Sequence, residues 1–276
     1  MLTLPETKTL LLSLRDGVLH ITFNRPERKN ALSPQMIDEL IDVVTAVSVE
    51  PELRALVLRG AGGTFCAGAD IKEMAARDAS TVRPAGDPQL AIARSNRRFG
   101  ELVSTVRGAT QPVIAVVEGA VMGGGFGLVC ASDIALALAD ARFGMPETGL
   151  GLVPAQIAPF VVERVGLTHA RRLMLTGARI DGTEAARLGL VHEVYADTAA
   201  LDAALDSVIE QIRRCAPRAT AATKRLVLST PGRELRGVLD EAAQSFAQAA
   251  VADEAREGTV AFVEKRKPSW ATRVTK

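Results

Sequence analysis

The chain has 276 residues, 47 % of them apolar and 24 % charged, which is the balance of a folded globular protein rather than a disordered or fibrous one. Its 33 Lys and Arg against 32 Asp and Glu leave a formal charge of +1, and one Trp, one Tyr and eight Phe offer few stacking surfaces, so no nucleic-acid partner is expected. No membrane partner is expected either: the longest charge-free stretch, Thr148 to Val162, is 15 residues and contains Gly149, Gly151, Pro154 and Pro159.

At the N-terminus Glu6 and Lys8 precede a short apolar run, Leu10 to Leu14, which does not fit a secretory signal; a cytoplasmic protein is expected. Gly17 to Phe23 is β-branched and apolar and ends at the turn Asn24-Arg25-Pro26. Ser33-Pro34 reads as an N-cap with proline in the first turn. The helix it opens carries Met36, Ile37, Leu40, Ile41, Val44 and Val47 on one face and should stop near Pro51. Ala55 to Leu58, Pro112 to Val117 and Ile134 to Leu138 are short buried strands. Their alternation with helical segments predicts parallel pairing with both sheet faces covered, an α/β fold. Residues 78 to 90, with Pro84, Gly86 and Pro88, read as an exposed loop. In the second half, helices are expected over Leu167 to Leu175 and after a Thr183 cap, then a strand over Val191 to Val194. Three more helices follow: Leu201 to Ile212, Ala219 to Leu228 and Glu234 to Ala250.

Two segments have the composition of ligand-facing turns. Thr64-Phe-Cys-Ala-Gly-Ala-Asp-Ile-Lys72 follows the Leu56 strand, and Gly119-Ala-Val-Met-Gly-Gly-Gly-Phe-Gly127 follows the Val116 strand. Small residues admit a ligand close to the backbone, and the free N–H groups of a helix start favour negative charge. Two such ends meeting would form an oxyanion hole; the alternative is that Gly123 to Gly125 serve close packing alone. Neither a dinucleotide fingerprint, a P-loop nor a serine elbow is present. The three cysteines, Cys66, Cys130 and Cys215, and the three histidines, His20, His169 and His192, lack metal spacing, so no metal is expected. Glu147 is the one acid in an uncharged region. Burial there would raise its pKa and suit it to proton transfer; its alternative is a surface loop.

Taken together, Ile21 to Pro26, Asn30-Ala-Leu32, Phe65 to Lys72, Pro112 to Gly125 and Gly258 to Lys267 resemble the crotonase superfamily, the enoyl-CoA hydratase/isomerase family, over nearly the whole chain. The resemblance implies a spiral of ββα units over residues 1–195 and a C-terminal helical region over 196–276 that forms trimers or dimers of trimers. It implies an acyl-CoA thioester substrate, with coenzyme A arriving as part of that substrate and no separate cofactor. The backbone N–H groups of Ala69 and Gly124 would hold the thioester oxygen. Arg28, Ala31, Ala67, Asp70 and Ile71 would contact coenzyme A, with Phe262 and Lys265 as C-terminal contacts, and Gly123 and Gly127 would border the acyl group. Hydratases of this family carry two glutamates. The second matches Glu147, but the first falls on Gly127, so one acid would have to serve alone, as it does in the family's double-bond isomerases. Gly127 is expected to leave room for a bulky or anionic acyl group. Gly123 to Leu128, Pro146 to Thr148 and Leu152 to Phe160 look most like the isohexenylglutaconyl-CoA hydratases, with methylglutaconyl-CoA hydratases as neighbours. An RNA-binding role through Arg94, Arg97 and Arg98 is disfavoured by the neutral charge.

Overall fold

The computed structural model describes residues 4–70 and 87–271. Nine strands form two sheets among these residues. The larger has the order β1 (Leu10–Arg15), β2 (Val18–Phe23), β3 (Ala55–Gly60), β4 (Val113–Val117), β6 (Ile134–Leu138), β9 (Glu193–Tyr195). Within this sheet only the β1–β2 pair is antiparallel and the other pairs are parallel. The smaller sheet joins β5 (Ala120–Met122), β7 (Arg142–Gly144) and β8 (Arg179–Asp181).

The large sheet is buried on both faces, as a parallel sheet requires. Side chains alternate between its faces. Leu19, Ile21, Leu56, Leu58, Ala115, Val117 and Ala135 join one core with α1 (Pro34–Val47), α2 (Pro88–Gly108) and α3 (Gly124–Ala131). Val18, Ala55, Val57, Ile114, Val116 and Leu136 face the other way, against Leu201, Leu205 and Ile209 of α6 (Thr198–Arg214). The remaining helices are α4 (Ala158–Thr176), α5 (Gly182–Arg187), α7 (Pro217–Ser229), α8 (Leu235–Ala250) and α9 (Asp253–Val263).

The chain advances by a repeated step. A strand of the large sheet is followed by a short bridging segment and then by a helix. After β4 and β6 that segment is β5 and β7; after β3 it is Cys66, paired in parallel with Val121 of β5; after β2 it is Leu32, paired with Ala69. This is the spiral α/β arrangement that the resemblance implies.

Several expectations need correction. The predicted exposed loop at 78–90 lies largely outside the described residues, and its last three belong to α2, which Asp87 caps through Gln89 N. The helix expected over Leu167 to Leu175 is present, closed by Gly177, as the second part of α4; a first part not foreseen runs from Ala158, with Pro159 in its first turn. Gly166, at φ +73° and ψ 162°, breaks the helix between the two parts. Asp181, not Thr183, caps α5, accepting from Glu184 N at 2.9 Å. Leu10–Arg15 is an edge strand, and α9 is a separate helix after Ala250.

Candidate active site

The two small-residue segments run side by side. Cys66 N donates to Ala120 O at 3.0 Å and Met122 N to Cys66 O at 2.9 Å. From the Cys66–Val121 pair, three residues forward on each strand reach Ala69 and Gly124. A Cβ on Gly68 would stand 3.0 Å from Met122 O, and one on Gly125 would stand 2.7 Å from Cys66 Cβ, so neither segment tolerates bulk here. Among the described residues neither the Ala69 nor the Gly124 amide has a hydrogen-bond acceptor. Gly124 opens α3, where an N–H has no partner inside the helix. Ala69 is exposed and Gly124 half-buried.

Glu147 stands at this point. It begins the 3-10 turn Glu147–Leu150, and a Cβ on Gly123 would lie 2.7 Å from its Oε1. Gly123 adopts φ +46° and ψ −111°, backbone space that side chains avoid, and its N–H donates to Gly144 O at 2.9 Å. The carboxyl therefore lies across a bare α-carbon next to the Gly124 amide. Its Oε2 is buried without a hydrogen-bond partner among the described residues. Burial raises its pKa above the ordinary glutamate value, and a backbone hydrogen bond only partly offsets this. The surface-loop alternative for Glu147 does not fit this setting.

The Arg28–Ala31 stretch packs on the Ala67–Asp70 stretch. Ala67 N donates to Lys29 O, Leu32 N to Gly68 O and Asp70 N to Leu32 O, at 2.8–3.2 Å. Two residues not singled out by the sequence reading hold this layer. Arg25 pairs with Asp70 at 3.1 Å and donates to Ala31 O at 2.6 Å. Fully buried Asn30, at φ +53°, accepts from Arg25 N and donates to both Ala61 O and Thr64 O. Each makes part-buried polar contacts whose loss strands a backbone partner. Both residues lie within the motif stretches, which is the only signal the sequence offers for them.

Arg28, Ala31, Ala67, Ala69, Asp70, Gly123, Gly124 and Glu147 thus belong to one region, while Ile71 lies outside the described residues. Phe262 is 84 % exposed on α9, which packs chiefly on α8, and Lys265 is exposed just beyond that helix. Gly127 is the clear correction. It faces no open space: a Cβ there would overlap Ile157 Cγ2 and lie 3.1 Å from Ile157 Cβ. The room left by the missing glutamate is already filled by an isoleucine side chain.

Cys66 is fully buried, and burial pushes its thiol up to about 12, so it packs rather than reacts. His192 Nδ1 accepts from Ala135 N, and burial lowers its pKa, which accounts for it structurally. No helix among the described residues is long and apolar enough to cross a membrane.

The enoyl-CoA hydratase/isomerase family model matches residues 13–273. Enoyl-CoA hydratase EchA19 of Mycobacterium tuberculosis is 33 % identical over 274 residues, covering 99 % of this chain and 100 % of that one. Among solved structures, Pseudomonas aeruginosa AtuE matches at 56 % identity with a TM-score of 0.92, covering 96 % of this chain and 100 % of its own. An enoyl-CoA hydratase/isomerase from Marinobacter aquaeolei matches at 50 % identity and a TM-score of 0.91, covering 96 % and 99 %. The geometry and these matches agree: the chain is a member of the enoyl-CoA hydratase/isomerase family and has its crotonase-like α/β fold.

Proposed function

We propose that this enzyme adds water across the double bond of a branched 2-enoyl-CoA, with isohexenylglutaconyl-CoA as the preferred ester. The observation that carries the reaction is the buried Oε2 of Glu147, which, like the neighbouring Gly124 amide, has no hydrogen-bond partner among the described residues. In the working reaction the thioester oxygen accepts from Ala69 N–H and Gly124 N–H. Glu147 takes a proton from water as the hydroxyl bonds to the β-carbon, and negative charge moves onto the thioester oxygen, where the two amides meet it. The same carboxyl then returns the proton to the α-carbon, so one acid completes the addition. The branched acyl group rests on the resemblance of Gly123 to Leu128, Pro146 to Thr148 and Leu152 to Phe160. The methylglutaconyl ester is the nearest alternative of the same chemistry.

Arg28, Ala31, Ala67, Asp70 and Ile71 are proposed to line the coenzyme A path. Phe262 and Lys265 would complete it from a neighbouring subunit. Self-association has support in the exposed apolar side chains of the C-terminal helices: Leu235, Leu239, Phe246 and Phe262 are 58–84 % exposed. Light scattering should therefore give a mass that is a multiple of the 29.2 kDa chain, a trimer or hexamer; a stable monomer at micromolar concentration would contradict the subunit-sharing part of the reading.

A second reading has one observation in its favour. With a single acid at Glu147, the site also suits a Δ3,Δ2-enoyl-CoA isomerase, which only moves a proton from one carbon to another. The test separates the two by direction. Hydration removes the conjugated enoyl absorbance of a 2-enoyl-CoA, whereas isomerisation creates it from a 3-enoyl-CoA. A screen over straight and branched esters is expected to show loss of absorbance, fastest with the branched esters. Gain from 3-enoyl esters alone would establish the isomerase.

A further inference from the structure

We propose that Ile157 closes the acyl pocket. Seated in the notch at Gly127 and bordered by Phe99, it sets how far a hydrocarbon branch of the acyl group can extend beyond the Gly124 amide. The inference rests on the reading that Gly124 N–H receives the thioester oxygen.

Residues 124 and 127 lie one helical turn apart on α3, on the same face. A Cβ at 124 would stand 2.8 Å from Leu32 Cδ1 and 3.0 Å from Phe99 Cζ. A Cβ at 127 would overlap Ile157 Cγ2 and stand 3.9 Å from that same Phe99 Cζ. The Phe99 ring therefore spans the distance from the oxyanion donor to Ile157. Among the described residues the side chains nearest to positions 124 and 127 are hydrocarbon: Leu32, Phe99 and Ile157. A carboxylate placed among them would lose its water and find no partner. The wall thus selects an apolar acyl branch and directs any second carboxylate of the substrate elsewhere.

The wall is also fixed in place. Gln156, the preceding residue, occupies a second glycine notch: a Cβ on Gly100 of α2 would overlap its Oε1 and stand 2.8 Å from its Cδ. Its Nε2 donates to Asn96 Oδ1 at 3.0 Å. Neighbouring residues on one segment are thus seated against two different helices, and Ile157 itself is 2 % exposed. A side chain held this way defines a boundary rather than yielding to each ligand.

The test is kcat/KM for 2-enoyl-CoA esters of increasing length and branching, with calorimetric binding of the corresponding saturated acyl-CoA esters. Ile157→Ala should shift the ratio of long or branched to short esters roughly tenfold toward the larger, since one methylene in an apolar pocket discriminates by about that factor or more. Ile157→Val, which removes a single methyl group, should shift it in the same direction by less, and reads the effect if the alanine variant folds poorly. Gly127→Ala, pushing Ile157 inward, should move it the opposite way. Equal loss for all esters in both Ile157 variants would overturn the proposal and leave Ile157 a packing residue. If the wild type turns over no enoyl ester, yet the length limit for saturated esters moves with Ile157, the pocket assignment stands and the hydration reading fails. Absence of acyl-CoA binding by the wild type would overturn both.

Discussion

Glu147→Gln should lower kcat by about 10²–10⁴-fold, the usual worth of a positioned general acid–base, while leaving acyl-CoA binding nearly intact. The amide keeps the shape of the carboxyl above Gly123 but can neither take a proton from water nor return one to the α-carbon. Burial raises the Glu147 pKa, so in the wild type the ionised base is lost as pH falls at a higher pH than an ordinary glutamate would show. The same shift has a consequence for stability. The folded chain binds this proton more tightly than the unfolded chain, so the stability conferred by the group is present at low pH and is lost as pH rises through the folded pKa. Glutamine carries no charge to desolvate. The variant should therefore melt above the wild type at neutral pH and level with it in acid, below the ordinary glutamate range. Steady-state kinetics and melting curves across pH test both halves. An active glutamine variant would remove Glu147 from the reaction.

Gly123→Ala should reduce kcat by roughly 10²-fold, because a misplacement of about 1 Å at a reacting group has that effect. The new Cβ would stand 2.7 Å from Glu147 Oε1, so the carboxyl must move away from the Gly124 amide. The backbone at φ +46°, ψ −111° is also glycine's own, so about 1–3 kcal/mol of strain should appear as a lower melting temperature. Two readouts keep the causes apart. Strain alone lowers stability and spares the turnover of the folded fraction, whereas displacement of the acid lowers turnover per folded molecule. An alanine variant with wild-type kcat would show that Glu147 works from a position other than the one over residue 123.

Much of this arrangement was legible in the sequence for identifiable reasons. β2, β3, β4 and β6 are short apolar runs because both of their faces are buried, and that pattern is local. Ser33-Pro34 announced α1, and Ser33 Oγ accepts from Met36 N at 3.2 Å as a cap should. The smaller sheet was not legible, because β5, β7 and β8 are three residues each and show no period. Gly166 divides α4: the part after it, from Leu167 to the Gly177 cap, was legible, whereas the part opening on Ala158-Pro159 was not. At the site, Glu147 could be picked out by its isolation, but its placement over Gly123 depends on a contact between distant segments. Gly127 misled for the same reason. A glycine in sequence reads as empty space, and the residue that fills it, Ile157, arrives from the next segment of the spiral.

The pairing of Cys66 with Val121 has one more consequence. Both oxyanion candidates are reached by counting three residues from that single bridge, so their alignment is a matter of equal spacing. One inserted or deleted residue between 66 and 69, or between 121 and 124, would displace one amide by about 3.3 Å relative to the other. Length changes upstream of the bridge or downstream of the amides carry no such penalty. Changes in the size of the surface loops elsewhere are therefore expected to be tolerated, while these two tripeptide intervals are expected to keep their length.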